Sequence, residues 1–132
     1  MEPARWLPVA AITGILGVVY GGWALLTFVT GKEGLTAAHQ RFFRDGHAHA
    51  GVLLVLSLVY FRYLGDTSFS RALEWVAGLV LLLGVMAQSG GFFLHMAAGE
   101  KDAPSFGTKL TRGGALLIAA ALAALAVGLA TR

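Results

Sequence analysis

The stretch Phe69-Ser70-Arg71-Ala72-Leu73-Glu74-Trp75-Val76-Ala77-Gly78-Leu79-Val80-Leu81-Leu82-Leu83-Gly84-Val85-Met86-Ala87-Gln88-Ser89-Gly90-Gly91-Phe92-Phe93-Leu94-His95-Met96-Ala97-Ala98 decides the fold. Past Glu74 no charged side chain interrupts it before His95. A helix rises about 1.5 Å per residue, so roughly 20 apolar residues cross a hydrocarbon layer about 30 Å thick. Runs of this length are seldom the core of a soluble fold. The stretch therefore predicts a transmembrane helix over about 69–98.

Three more runs of the same kind surround it, at about 6–29, 40–64 and 106–131. The connections Thr30-Gly31-Lys32-Glu33-Gly34, Gly65-Asp66-Thr67-Ser68 and Gly99-Glu100-Lys101-Asp102-Ala103-Pro104 combine helix breakers with charge. All are short, and short loops join antiparallel neighbours. The expectation is one all-α domain over residues 1–132, an integral membrane bundle of four helices running up-down-up-down. Composition agrees, with 57% hydrophobic and 13% charged residues. The setting this implies is a multi-pass protein of a bacterial cell membrane, with the lipid bilayer as its first partner.

The first run follows Met1-Glu2-Pro3-Ala4-Arg5 and has one early positive charge, as a secretory signal does. It is about twice as long as a signal core and carries no AxA-type cleavage site before Thr30. It reads as a retained helix. Ten Lys and Arg against seven Asp and Glu are spread in ones and twos between the runs, which excludes a nucleic-acid surface. The absence of cysteine excludes disulfides, thiolate zinc sites, iron–sulfur clusters and haem attached through CxxCH.

Four crossings put both termini on one side. Arg5, Arg62, Arg71 and Arg132 lie there, against Lys32, Arg41, Arg44, Lys101, Lys109 and Arg112 on the other. The excess of the second set places the termini outside by the positive-inside rule, unless Arg41, Arg44, Lys109 and Arg112 serve a site instead.

All four histidines fall toward the side opposite the termini: His39, His47 and His49 at the start of helix two, and His95 at the end of helix three. Ionisable residues in or at the edge of a span are functional candidates by default. Residues two apart on a helix point about 200° away from each other, so His47 and His49 cannot both hold one metal. An HExxH zinc site is absent. One ligand from each helix does fit. His95 shares a face with Gln88, Gly91 and Gly84, while His47 leads a stripe with Gly51, Leu54 and Leu58 and His49 one with Leu53, Leu56 and Tyr60.

The pattern is that of a b-type haem held by two imidazoles between helices two and three, His95 with either His47 or His49. Arg41, Arg44, Lys109 and Arg112 lie near the same end and suit haem propionates or another anionic head group. Copper is the alternative metal, using Met96 or a third histidine. Plain interhelical hydrogen bonding by the histidines is the third reading. Phe42-Phe43 and Phe92-Phe93 flank the histidines and suit either porphyrin walls or ordinary packing. Most of the Trp and Tyr residues lie near helix ends, as interfacial anchors do. Glycines inside the helices, including the Gly17–Gly21 GxxxG pair and Gly46 with Ala50, allow close helix contact, and would also leave room for a flat cofactor.

The segment Gly46-His47-Ala48-His49-Ala50-Gly51-Val52-Leu53-Leu54, followed by Tyr60-Phe61-Arg62-Tyr63, resembles the HAH signature of small four-helix membrane proteins related to the haem–copper oxidase subunit I superfamily. The resemblance covers helix two, and the rest matches by hydropathy. It implies a haem ligand at His47 or His49. Four helices are too few for an oxidase catalytic subunit, so no complete dioxygen-reducing centre is implied.

These readings lead to a small haem-binding membrane protein in electron transfer, haem handling or gas sensing. The rival is a non-catalytic accessory or scaffold subunit of a homo-oligomer or larger membrane complex, for which the polar-free stretch Gly113–Ala121 is suited. A pore would need oligomerisation, and no nucleophile elbow, intramembrane carboxylate pair or P-loop supports hydrolysis.

Overall fold

The computed structural model describes residues 1–31, 36–98 and 103–132. They form four helices, α1 (Pro3–Thr30), α2 (Ala37–Leu64), α3 (Arg71–Ala98) and α4 (Phe106–Ala130), with no strand among the described residues. All four are long and apolar enough to cross a membrane. Lys32 and Lys101 of the charge comparison, and most of the two connections that carry them, lie outside the described residues.

The helix starts follow from local chemistry. Pro3 opens α1, where its missing N–H leaves no donor unsatisfied. α2 begins three residues before the expected Gln40, because the Thr36 hydroxyl accepts from the His39 N–H at 3.2 Å and caps the first turn. α3 begins two residues later than expected, since the Ser70 hydroxyl accepts from the Leu73 N–H at 3.4 Å. α4 opens on a reciprocal cap in which Ser105 and Thr108 each bond the other's backbone N–H, at 3.4 and 3.2 Å.

Neighbouring helices run antiparallel. Along α1 and α2, Gly14 meets Leu54, Gly51 meets Val18, and Gly21 and Gly22 meet His47. Along α3 and α4, Gly84 lies against Gly114 and Ile118, and Gly91 against Gly107 and Thr111. The central pair is α2 and α3. α1 flanks it on one side and α4 on the other, and among the described residues α1 and α4 do not approach each other.

The α3–α4 seam is the tightest contact. A Cβ added at Gly91 would lie 2.5 Å from the Gly107 carbonyl oxygen and 2.7 Å from the Thr111 nitrogen, so the backbones themselves touch. Thr111 adds a hydroxyl that donates to the Gln88 carbonyl of the opposite helix at 3.2 Å.

The apolar core occupies the end that holds the termini. Leu7, Ala11, Tyr60, Phe61, Leu64, Ala77, Leu81, Val85, Ile118, Ala121 and Leu125 are buried there and toward mid-bundle. Polar ties close that end: Tyr60 donates its hydroxyl to the Ala121 carbonyl at 3.1 Å, Trp75 donates to the Met1 carbonyl at 3.3 Å, and Arg71 pairs with Glu2 at 2.9 Å. In the opposite end the buried residues among those described are Gly46, Ser89, Gly91, His95 and Gly107. Among the described residues, the large apolar side chains at that end, Phe42, Phe43, Phe92 and Phe93, are only half-buried.

Candidate functional site

Two clefts result at the end away from the termini, one on each side of the α2–α3 pair. The first, about 300 Å³, lies where α1 parts from α3, and is lined by Gly14, Gly17, Val18 and Gly21 of α1, Phe43, His47, Ala50 and Leu54 of α2, and Val85, Met86, Ser89 and Phe93 of α3. The second, about 220 Å³, lies between α2 and α4 over α3, and is lined by Phe42, Gly91, Phe92, His95, Thr108, Thr111 and Arg112. Each cleft receives one histidine.

The adjacent phenylalanines explain the division. Neighbours on a helix point about 100° apart, so a Phe-Phe pair facing two clefts supplies one ring to each. Phe43 lies beside His47 at 6.4 Å and meets Phe93 edge-on at 5.3 Å, in the first cleft. Phe42 meets His95 edge-on at 4.6 Å, and Phe92 joins them in the second.

His47 sits over the glycines of α1. A Cβ at Gly21 would lie 3.3 Å from its Nδ1, and one at Gly22 3.3 Å from its Nε2. At Gly17 a Cβ would meet nothing within 4 Å, which marks open space one turn along the same face. Ser89 lines this cleft, is 5% exposed, and its hydroxyl has no hydrogen-bond partner among the described residues. A buried orphan of this kind costs about 1–3 kcal/mol, so it calls for a reason.

His95 is bound into the start of α4. Its Nδ1 lies 2.7 Å from Ser105 Oγ and 3.4 Å from Thr108 Oγ1, the same two side chains that cap the helix. Its Nε2 has no partner among the described residues. His49 takes a third setting, exposed and beside the Phe92 ring at 4.9 Å. Its Nδ1 lies 2.8 Å from the Asp45 carbonyl oxygen, which accepts only, so Nδ1 carries the proton. His39 stays in the first turn of α2, half-buried.

The opposed directions of His47 and His49 are as helical phase requires. The pairing of either with His95 about one iron is not assembled: His47 and His95 line different clefts, and His49 is turned to the outside. No group of three or more potential metal-binding side chains gathers among the described residues, so a three-histidine copper site is not assembled either.

The stripe of Gly84, Gln88, Gly91 and His95 does face inward, but its partner is α4 and not α2. Gly91 is thereby filled by the α4 backbone. Of the cations expected near a cofactor, Arg112 lines the second cleft, Arg44 lines neither, and Arg41 lies 3.9 Å from Asp45 on the exposed face of α2.

Sequence reasoning passed over Ser89, Ser105, Thr108 and Thr111. A signal existed for the last three: Gly84 and Gly91 repeat at seven, as do Gly107 and Gly114, which matches the two helices and brings the polar start of α4 to His95. For Ser89 no signal existed, because one hydroxyl in an apolar run usually bonds its own helix.

Fold and clefts define an all-α, multi-pass membrane protein with two small clefts at one end. No protein-family model, curated protein or solved structure matches the chain.

Proposed function

We propose that the chain is a small haem-binding membrane protein in electron transfer, haem handling or gas sensing, with His47 as the iron ligand in the cleft between α1, α2 and α3. The observation that carries this reading is the combination at His47: an imidazole facing a glycine-lined wall, with space at Gly17 and an orphaned Ser89 hydroxyl in the same cleft. A flat, apolar ligand with a few polar atoms meets each of these features. Its rings would lie against Gly17, since Leu54 already covers Gly14 and His47 covers Gly21, with Phe43 and Phe93 as aromatic walls.

The cleft volume of about 300 Å³ stands at the lower bound of ordinary ligand pockets, which run from roughly 300 to 1,000 Å³. The cleft opens toward lipid at Met86, which is 70% exposed, so a wider occupant extends there. His47 would hold the group in this cleft, which Met86 also lines, and haem would supply a redox-active iron there. The protein's share is to hold the ring by apolar contact and to exclude water.

The test is the absorption spectrum of protein purified after expression with ample haem. A Soret band is expected, and Gly17→Leu, whose Cβ enters open space, should abolish it while leaving thermal stability nearly unchanged. No Soret band in the wild type would overturn the proposal.

A second reading is favoured by α1. Only 6% of its apolar window is buried, against 28–39% for the other three helices. Leu16, Val19, Tyr20, Trp23 and Leu26 present a continuous apolar surface, each more than 60% exposed. A second protomer or a larger complex of the cell membrane would pack there, and the chain would then serve as an accessory or scaffold subunit. Co-purification of a stoichiometric partner without any cofactor is the result that selects this reading.

A further inference from the structure

The geometry points to the second cleft, between α2, α3 and α4, as a binding site for a phosphate group carried on an apolar tail, that is, the head of an anionic membrane lipid. Arg112 brings the cleft its fixed positive charge. It is an exposed residue that lines the cleft, and its guanidinium has neither ion pair nor hydrogen bond among the described residues. It lies two turns inside a spanning helix, where a cation is costly unless it is paired or reaches the head-group layer. An arginine offers a planar set of donors that matches phosphate oxygens.

The other polar atoms of the cleft are suited to the same ligand. The Nε2 of His95 is unpartnered among the described residues on a residue that is only 9% exposed. In the tautomer whose Nδ1 accepts from the Ser105 hydroxyl, the ring carries its proton on Nε2 and donates from there. Thr108 and Thr111 bring hydroxyl oxygens to the same wall. Arg112 and Thr108 can donate to an anion, as can His95 from Nε2, whereas the Thr111 hydroxyl is already given to the Gln88 carbonyl; no described carboxylate lines the cleft.

The remaining lining is apolar. Phe42 and Phe92 form one side, and a cleft of about 220 Å³ is too small for a whole lipid but accommodates a head group with the start of its chains. Basic pockets between transmembrane helices near a membrane surface bind anionic head groups by this combination. The site is separate from the cleft of His47, so it stands or falls independently of haem.

The experiment is native mass spectrometry of the full chain released from a neutral detergent. The probes are short-chain phosphatidylglycerol, the matching phosphatidylcholine, and inorganic phosphate. One molecule of phosphatidylglycerol should bind saturably, at least about tenfold more tightly than either of the other two. Arg112→Gln should weaken it about tenfold or more. Lys109→Gln, one turn away and outside the cleft, should change it by less than about twofold, and both variants should elute as the wild type does.

Equal loss in the two variants would reduce the site to a general basic surface and overturn the proposal. Equal binding of phosphatidylcholine would remove the need for net negative charge, and equal binding of inorganic phosphate the need for a tail; either result would also overturn it.

Discussion

The two ends of this bundle are built from the same four helices but by opposite rules. At the end with the termini, large side chains fill the space, with Leu81 fully buried and Tyr60 tied across to α4. At the other end the buried positions are glycine, serine and histidine, and the space left between helices becomes two clefts. Close-packed apolar interiors have no room for a ligand. A four-helix chain that binds something must leave one end underfilled, and here the other end and the α3–α4 glycine seam hold the helices together while it does so.

The most severe way to break the comparison is to attack that seam. Gly91→Leu drives a side chain into the α4 backbone, where nothing flexible can yield. The expected loss exceeds about 4 kcal/mol, in the range reserved for core disruption, and unfolding of the purified variant in mixed detergent measures it. A loss near zero would mean that α3 and α4 are not in backbone contact.

The next test contrasts the filled end with the open one. Leu81→Ala, which leaves a cavity at a site with no exposure, should cost about 2–4 kcal/mol. Met86→Ala, at the rim of the His47 cleft, should cost less than about 0.5 kcal/mol by the same measurement. Equal costs would erase the distinction between the ends.

The smallest effect concerns the polar tie. Tyr60→Phe removes the hydroxyl that donates to the Ala121 carbonyl and keeps the ring. Interhelical hydrogen bonds in membranes average about 0.6 kcal/mol, so a shift of that order is expected in the same unfolding assay. A loss several times larger would show that the tie, and not the apolar filling, closes that end.

Most of the fold was legible because length and hydropathy act residue by residue. The runs around Leu81, Leu54, Val18 and Ile118 each needed a lipid-spanning helix whatever their neighbours did, and short connections set the alternation of direction. The starts of α2 and α3 moved where a particular hydroxyl, Thr36 or Ser70, took the first free N–H, and that of α1 moved back from residue 6 to Pro3.

The candidate site was legible only in part, for a geometric reason. Helical phase tells which residues share a face, so Gly84, Gln88, Gly91 and His95 were correctly grouped, as was the opposition of His47 and His49. Phase does not tell which helix that face meets. The stripe was read toward α2, and α4 took it, because glycines at matching sevenfold spacing let those two backbones approach more closely than any other pair. His95 followed its stripe to Ser105 and left His47 in a cleft of its own.

The measurement that tests the account most directly is the haem absorption spectrum of two variants side by side. His47→Ala should lose the Soret band, whereas His95→Ala, altered in the other cleft, should keep it with its position and intensity nearly unchanged. Loss of the band in His95→Ala with the fold intact, or its retention in His47→Ala, would contradict the assignment of separate roles to the two clefts.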